Sequence, residues 1–325
     1  MIYTNTCITT ITDFVILGFP GLDPKYNAAV SVLLFFTYLA IVFGNLLILV
    51  FVGLDKRLYK PTYLIFCHLA MTDLLFGTVT LPKAISKYWW DDKIVSFGGC
   101  FTQMYFVHAL GAIQSLLLLI MALDHFISVC LPLKYPVLIT NNKISIACGL
   151  SWIFTFFRMM IIVFHALSLP YCDSNIIVQC YCDHISIVRL GCGENVRYVQ
   201  RVALGFAMFS LLLPVSFILF SYTSIFVVIL RMRTVERSYK TFSTCTPQLF
   251  ITFLYYLPRC FAYVANNVGF SFNLDIHILV TLLYSLIPCV FNPLIYCFKT
   301  RDIKDSLMRK LTRAKVGMKQ VLRKI

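Results

Sequence analysis

Seven stretches of this chain, near 28–54, 61–85, 98–131, 144–168, 198–231, 241–268 and 276–298, are apolar over twenty or more residues. A bilayer core of about 30 Å takes about 20 helical residues to cross, so each stretch can span a membrane. Spans of that kind close their own backbone hydrogen bonds, which restricts the chain to an all-α bundle of seven transmembrane helices. Composition agrees: 59% of the 325 residues are hydrophobic and 13% charged, with a mean hydropathy of +0.82. Soluble domains sit near 45–50% apolar and 25% charged, so a soluble core could not hide this surface.

The net charge of +14 suggests nucleic acid until the basic residues are placed. Ten of the 28 Lys and Arg follow Phe298, and nine more fall in three short connections, near 55–60, 132–143 and 231–240. The opposite connections hold about six. That asymmetry puts the basic side in the cytosol, with Met1 outside and Ile325 inside, and no recognition motif points to nucleic acid. The expected division is an extracellular segment 1–27, a transmembrane domain 28–298 and a cytoplasmic basic tail 299–325. In the tail, Ile303, Leu307 and Leu311 recur among basic residues, either as a short amphipathic helix on anionic membrane lipids or as a solvated tail. No cleavable signal peptide is evident, and the first span is expected to act as its own insertion signal. Tyr88-Trp89-Trp90 is placed at a membrane interface, and the connection from about Met232 to Lys240 reads as short.

The third apolar run ends at Met121-Ala122-Leu123-Asp124-His125, followed by Pro132-Leu133-Lys134-Tyr135-Pro136. Together with Gly44-Asn45, Leu69-Ala70-Met71-Thr72-Asp73-Leu74 and Asn292-Pro293-Leu294-Ile295-Tyr296, this resembles the rhodopsin-like G-protein-coupled receptors. Lys240-Thr241-Phe242-Ser243-Thr244-Cys245-Thr246 and a second outer loop with four cysteines narrow the resemblance to odorant receptors, over about residues 13–311. It implies a plasma-membrane receptor, in the cilia of olfactory neurons, that binds a small-molecule odorant in the outer half of the bundle. Such a receptor activates a heterotrimeric stimulatory G protein and raises cyclic AMP. A receptor for a hormone or metabolite is the alternative. The resemblance also implies bridges Cys100–Cys182 and Cys172–Cys192, with Cys180 standing as a rival partner for Cys100.

Asp73 is costly inside a span and needs partners, for which the resemblance offers Asn45 and Asn292, through water or a sodium ion. Odorant receptors usually carry an acid where Gln114 stands, so any sodium site at Asp73 is expected to be weak. Asp73 reads either as a conformational switch or as a packed polar residue. Asn292-Pro293 breaks the last helix, with Tyr296 and Tyr222 expected to report its shift, or else the proline is a structural kink. The family has Asp-Arg-Tyr where Asp124-His125-Phe126 stands; His125 is expected to weaken the resting ion pair, G-protein coupling, or both.

For the ligand pocket the expected contacts are His108, Gly111, Ala112, Tyr256, Arg259 and Tyr263. His108 reads equally as a core residue. Arg259 either anchors an anionic odorant, with His108 beside it, or reaches along its helix toward headgroups. Asn5-Thr6-Cys7 offers only a rare glycosylation variant. No cofactor is implied and the chain is not expected to be an enzyme: no nucleophile has a plausible base and no metal spacing appears. A retinal protein would need a Lys in 276–298, which contains none. The repeats or charged path expected of a transporter are missing.

Overall fold

The computed structural model describes residues 11–172, 174–232, 234–267 and 273–299. Seven long helices form the bundle: α1 (Asn27–Leu54), α2 (Pro61–Trp90), α3 (Phe97–Cys130), α5 (Asn141–Leu167), α7 (Val196–Leu230), α8 (Val235–Asn267) and α9 (Leu274–Lys299). Two short helices, α4 (Tyr135–Leu138) and α6 (His184–Val188), lie in connections. Local chemistry fixes the starts. Pro61 opens α2, where a missing N–H costs nothing. Ser96, Thr140 and Asp183 cap α3, α5 and α6 by accepting N–H bonds from Gly99, Lys143 and Ser186.

Six of these helices, all but α8, are long and apolar enough to cross a membrane. The span expected at 241–268 falls on α8, whose apolar run is diluted by Thr241, Ser243, Thr246, Gln248, Thr252 and Arg259. In α2 and α3, 56% of the most apolar window is buried, against 22% in α1 and 17% in α7. The first pair therefore forms the centre, while side chains such as Phe36, Phe43, Leu219 and Phe220 face outward, where lipid would meet them.

Two boundaries differ from the hydropathy reading. Between α7 and α8 the connection covers 231–234 rather than 232–240, because a helix continues past its apolar part while its backbone bonds close. Helix α2 runs on to Trp90, and the three aromatic residues at its end part company. Trp89 and Trp90 are exposed, whereas Tyr88 is buried and its hydroxyl accepts the Phe19 N–H at 3.0 Å.

One end of the bundle is roofed. Strand β1 (Asp13–Ile16) lies between β2 (Ile94–Ser96), antiparallel to it, and β3 (Ile176–Ile177), parallel to it. Phe14 packs beneath against Phe97, Phe101 and Tyr171. Cys100 and Cys182 are bridged within the same cluster, and Cys172 is bridged to Cys192. Cys180 stays a free thiol 3.7 Å from the Tyr88 hydroxyl. Gly18 adopts φ +69°, and a Cβ there would fall 2.3 Å from that hydroxyl, so only glycine fits. Beyond it, the Gly21 N–H lies 3.1 Å from both oxygens of Asp275 on α9.

Candidate functional site

Below the roof, the helices surround a cavity of about 470 Å³. Its walls come from α3 (Val107, His108, Gly111, Ala112, Ser115), α5 (Met159, Ile162), α7 (Gln200 to Leu211), α8 (Tyr255, Arg259) and α9 (Tyr284, Ser285), with Tyr181 and α6 above. The walls are mostly apolar with a few polar groups, the usual character of a small-molecule site. Among the described residues, no carboxylate lines it.

Four expected contacts meet here: His108, Gly111, Ala112 and Arg259. A Cβ at Gly111 would meet nothing within 4 Å, so its missing side chain leaves room in the cavity. Arg259 is buried, and its guanidinium lies 3.8 Å over the Tyr255 ring and 5.4 Å over that of Tyr284. It faces the cavity rather than headgroups. Tyr256, by contrast, is not in the wall. Its hydroxyl is 2.6 Å from Ser115 Oγ, and Tyr255 takes the wall position while donating to Gly111 O at 2.5 Å. One residue turns a helix by about 100°, and the roll of α8 sends Tyr256 into the α3 contact instead. The side chain of Tyr263 lies outside the described residues, as do Asn5 and the tail beyond residue 299.

Helix α6 adds a residue that the periodicity did not signal. The His184 N–H donates to His108 Nε2 at 3.1 Å, and the two rings meet edge to face at 6.2 Å. That bond fixes His108 as a neutral ring with its proton on Nδ1. Burial holds His184 down at about 4, so it too is neutral, and its Nε2 is buried without a partner among the described residues. Burial pushes the neighbouring Asp183 carboxyl up, the more modest counter-effect being the bond from Ser186.

Deeper in the bundle, Asp73 is fully enclosed. Gln114 Nε2 donates to its Oδ1 and Asn292 Nδ2 to its Oδ2, the latter at 2.8 Å. Gln114 thus stands as a donor to the carboxylate. Asn45 does not reach Asp73. Its Nδ2 donates to Cys289 O at 3.1 Å, the carbonyl one turn before Pro293 that the proline cannot serve. Pro293 itself packs where a Cβ on Gly44 would lie, 2.8 Å from its Cγ. The same device recurs on α7, where Ser115 Oγ donates at 2.9 Å to Ser210 O, four residues before Pro214. Each Asp73 oxygen accepts one amide N–H, and the Asn292 Oδ1 is buried without a partner among the described residues, so oxygen lone pairs are left that suit a weakly held sodium ion. Among the described residues, no group of three or more acidic, His or Cys side chains is placed to hold a metal ion.

At the end opposite the roof, Asp124 is buried and its carboxylate accepts from Thr62 at 2.8 Å and from Tyr135 at 2.9 Å. These hydroxyls, not His125, hold it. Tyr222 and Tyr296 are buried, with hydroxyls that meet no partner among the described residues. The Tyr296 ring stacks on Phe66 at 4.1 Å.

The family model described as olfactory receptor matches residues 34–314. Human olfactory receptor 52N1 is 34% identical over 317 residues, covering 95% of this chain and 96% of the relative. Human olfactory receptor 52N5 is 34% identical, covering 94% of each. Human olfactory receptor 2AT4 is 32% identical, covering 91% and 92%.

Proposed function

This chain belongs to the olfactory receptor family, a family of G-protein-coupled receptors without enzymatic activity, and is a multi-pass plasma-membrane protein. On that footing we propose that it crosses the membrane seven times, with α8 among the spans, and binds an odorant in the roofed cavity. Domain limits follow as 1–27 outside, 28–298 in the membrane and 299–325 in the cytosol. The basic connections and tail support that orientation. So does the roof, whose two disulfides belong to an oxidising compartment. Coupling runs to a stimulatory G protein at the end carrying Asp124 and His125, in olfactory cilia, and raises cyclic AMP.

The observation that carries the reading is the cavity itself: partly open, mostly apolar, and holding the guanidinium of Arg259 over two tyrosine rings. An ion in that setting attracts an acidic ligand group through charge-assisted hydrogen bonds. Expressed in cells with a stimulatory G protein, the receptor raises cyclic AMP on exposure to members of a panel of acidic, amine and neutral odorants. Arg259→Gln selectively weakens responses to acids, by about tenfold or more. Silence across the panel at normal surface expression overturns the odorant reading, and equal responses to acids and neutral compounds in the variant overturn the anchor.

A further inference from the structure

Besides Arg259 and the exposed Arg189 in its wall, the cavity has a further, buried cation behind that wall. Arg158 sits on α5, is buried, and donates from Nη1 to the Oγ of Ser210, a residue of the cavity wall. Its Nε is buried without a hydrogen-bond partner, and no carboxylate pairs with it among the described residues. A guanidinium buried in a span without a counter-charge is expensive. Ser210 cannot relieve it, since a hydroxyl brings no charge and already donates to Phe206 O at 2.7 Å. The Tyr255 ring is under Arg259, and Arg158 lies 5.9 Å from the centre of the Phe154 ring, a contact that brings no full counter-charge.

We propose that Arg158, held to the Ser210 side chain of the wall, is a further anchoring residue of this cavity, and that the ligand carries two separated acidic groups, one for Arg259 and one for Arg158. The proposal rests on the odorant-binding reading and narrows it. The missing counter-charge arrives with the ligand. Rotation of Ser210 about its single side-chain torsion opens the way, and the guanidinium supplies two parallel N–H donors to a carboxylate. A molecule with one acidic group leaves Arg158 uncompensated, so the two buried cations select for the second acid, whereas Arg189 is exposed and meets solvent.

The test compares linear dicarboxylates of four to ten carbons with monocarboxylates of equal length. It reads both cyclic AMP and the thermal shift of the purified full-length receptor. In the wild-type receptor a dicarboxylate outperforms its monocarboxylate by at least about tenfold. Arg158→Gln lowers that ratio by about tenfold to a hundredfold, and Arg158→Lys, which keeps the charge, retains more of it. Ser210→Ala keeps or raises the ratio, because it removes the hydroxyl and leaves the cation. The proposal fails if wild-type receptor treats the two series alike, or if Arg158→Gln weakens both equally. It fails too if Ser210→Ala behaves as Arg158→Gln does, the result of a role in helix packing alone. Activation by neutral odorants with no acid effective overturns this proposal and leaves the receptor reading intact. A thermal shift by dicarboxylates without cyclic AMP supports the second anchor and counts against the signalling reading.

Discussion

Two hydroxyls decide how firmly Asp124 is held, and removing them is expected to make the receptor signal without a ligand. Thr62 and Tyr135 donate to separate oxygens of that carboxylate, at 2.8 and 2.9 Å, tying α2 and the α4 connection to α3. Burial, and then the adjacent carboxylate, push the Tyr135 phenol above its ordinary range, so it stays a donor at any cellular pH. A hydrogen bond to an ionised partner contributes about 1.5–3 kcal/mol, and the lower figure suits the half-exposed Tyr135. If both bonds are absent from the signalling arrangement, each favours the resting one by about tenfold, at about 1.4 kcal/mol per decade. Tyr135→Phe and Thr62→Val each raise agonist-free cyclic AMP, and the double variant moves the underlying ratio by about a hundredfold if the bonds act independently. The measurement is ligand-free cyclic AMP at matched surface expression. An unchanged baseline in the double variant refutes the reasoning and returns attention to His125, whose replacement by Arg would then be the change that alters basal or stimulated signal.

The proline-freed carbonyl of Cys289 gives a second expectation: Asn45→Ala lowers stability by about 1–3 kcal/mol, and by less in a Pro293→Ala background, where an N–H is available within α9. Thermal unfolding of the four proteins measures that coupling, and equal costs in both backgrounds would contradict it. A third concerns pH. His184 is held at about 4 against an ordinary 6.5, so the unfolded chain takes up a proton first. Its contribution is complete above pH 6.5 and falls away toward pH 4, by at most about 3 kcal/mol. His184→Gln flattens the melting temperature over that range, relative to wild type. The comparison isolates it from Asp183, whose raised carboxyl acts with the opposite sign.

Much of the architecture was legible because membrane spans are written as long apolar runs, whose positions survive errors of a few residues at each end. Within them, single polar residues such as Asp73, Asn45 and Asn292 stood out because an apolar span has few reasons to hold them. Their pairing was harder to read. Asn45 turned out to serve a backbone carbonyl made available by Pro293, a relation between α1 and α9 that no local pattern encodes. Gln114 read as a lost ligand and is a donor, since the sequence does not say that its amide reaches Asp73 on a neighbouring helix. The choice between Tyr255 and Tyr256 was beyond the sequence for a geometric reason. Neighbouring positions on a helix point about 100° apart, and the roll of α8 is set by its packing. Strand β1 escaped because four residues carry little periodicity when their partners lie about 80 and 160 positions away.

That distant pairing also sets a timetable. Val15 leaves the ribosome about 160 residues before Ile176, its neighbour in the sheet, and the bridge of Cys100 to Cys182 likewise waits for the loop to arrive. The segment at the middle of the roof sheet is thus among the first parts made and among the last to settle. For most of synthesis Phe14 has no Tyr171 to pack on, and Gly21 has no Asp275 to meet. A bulky tag joined just ahead of residue 11 would burden the closing step alone, producing receptors with formed helices and an unsealed top. Impaired export of such fusions would then speak of late assembly rather than of weak spans.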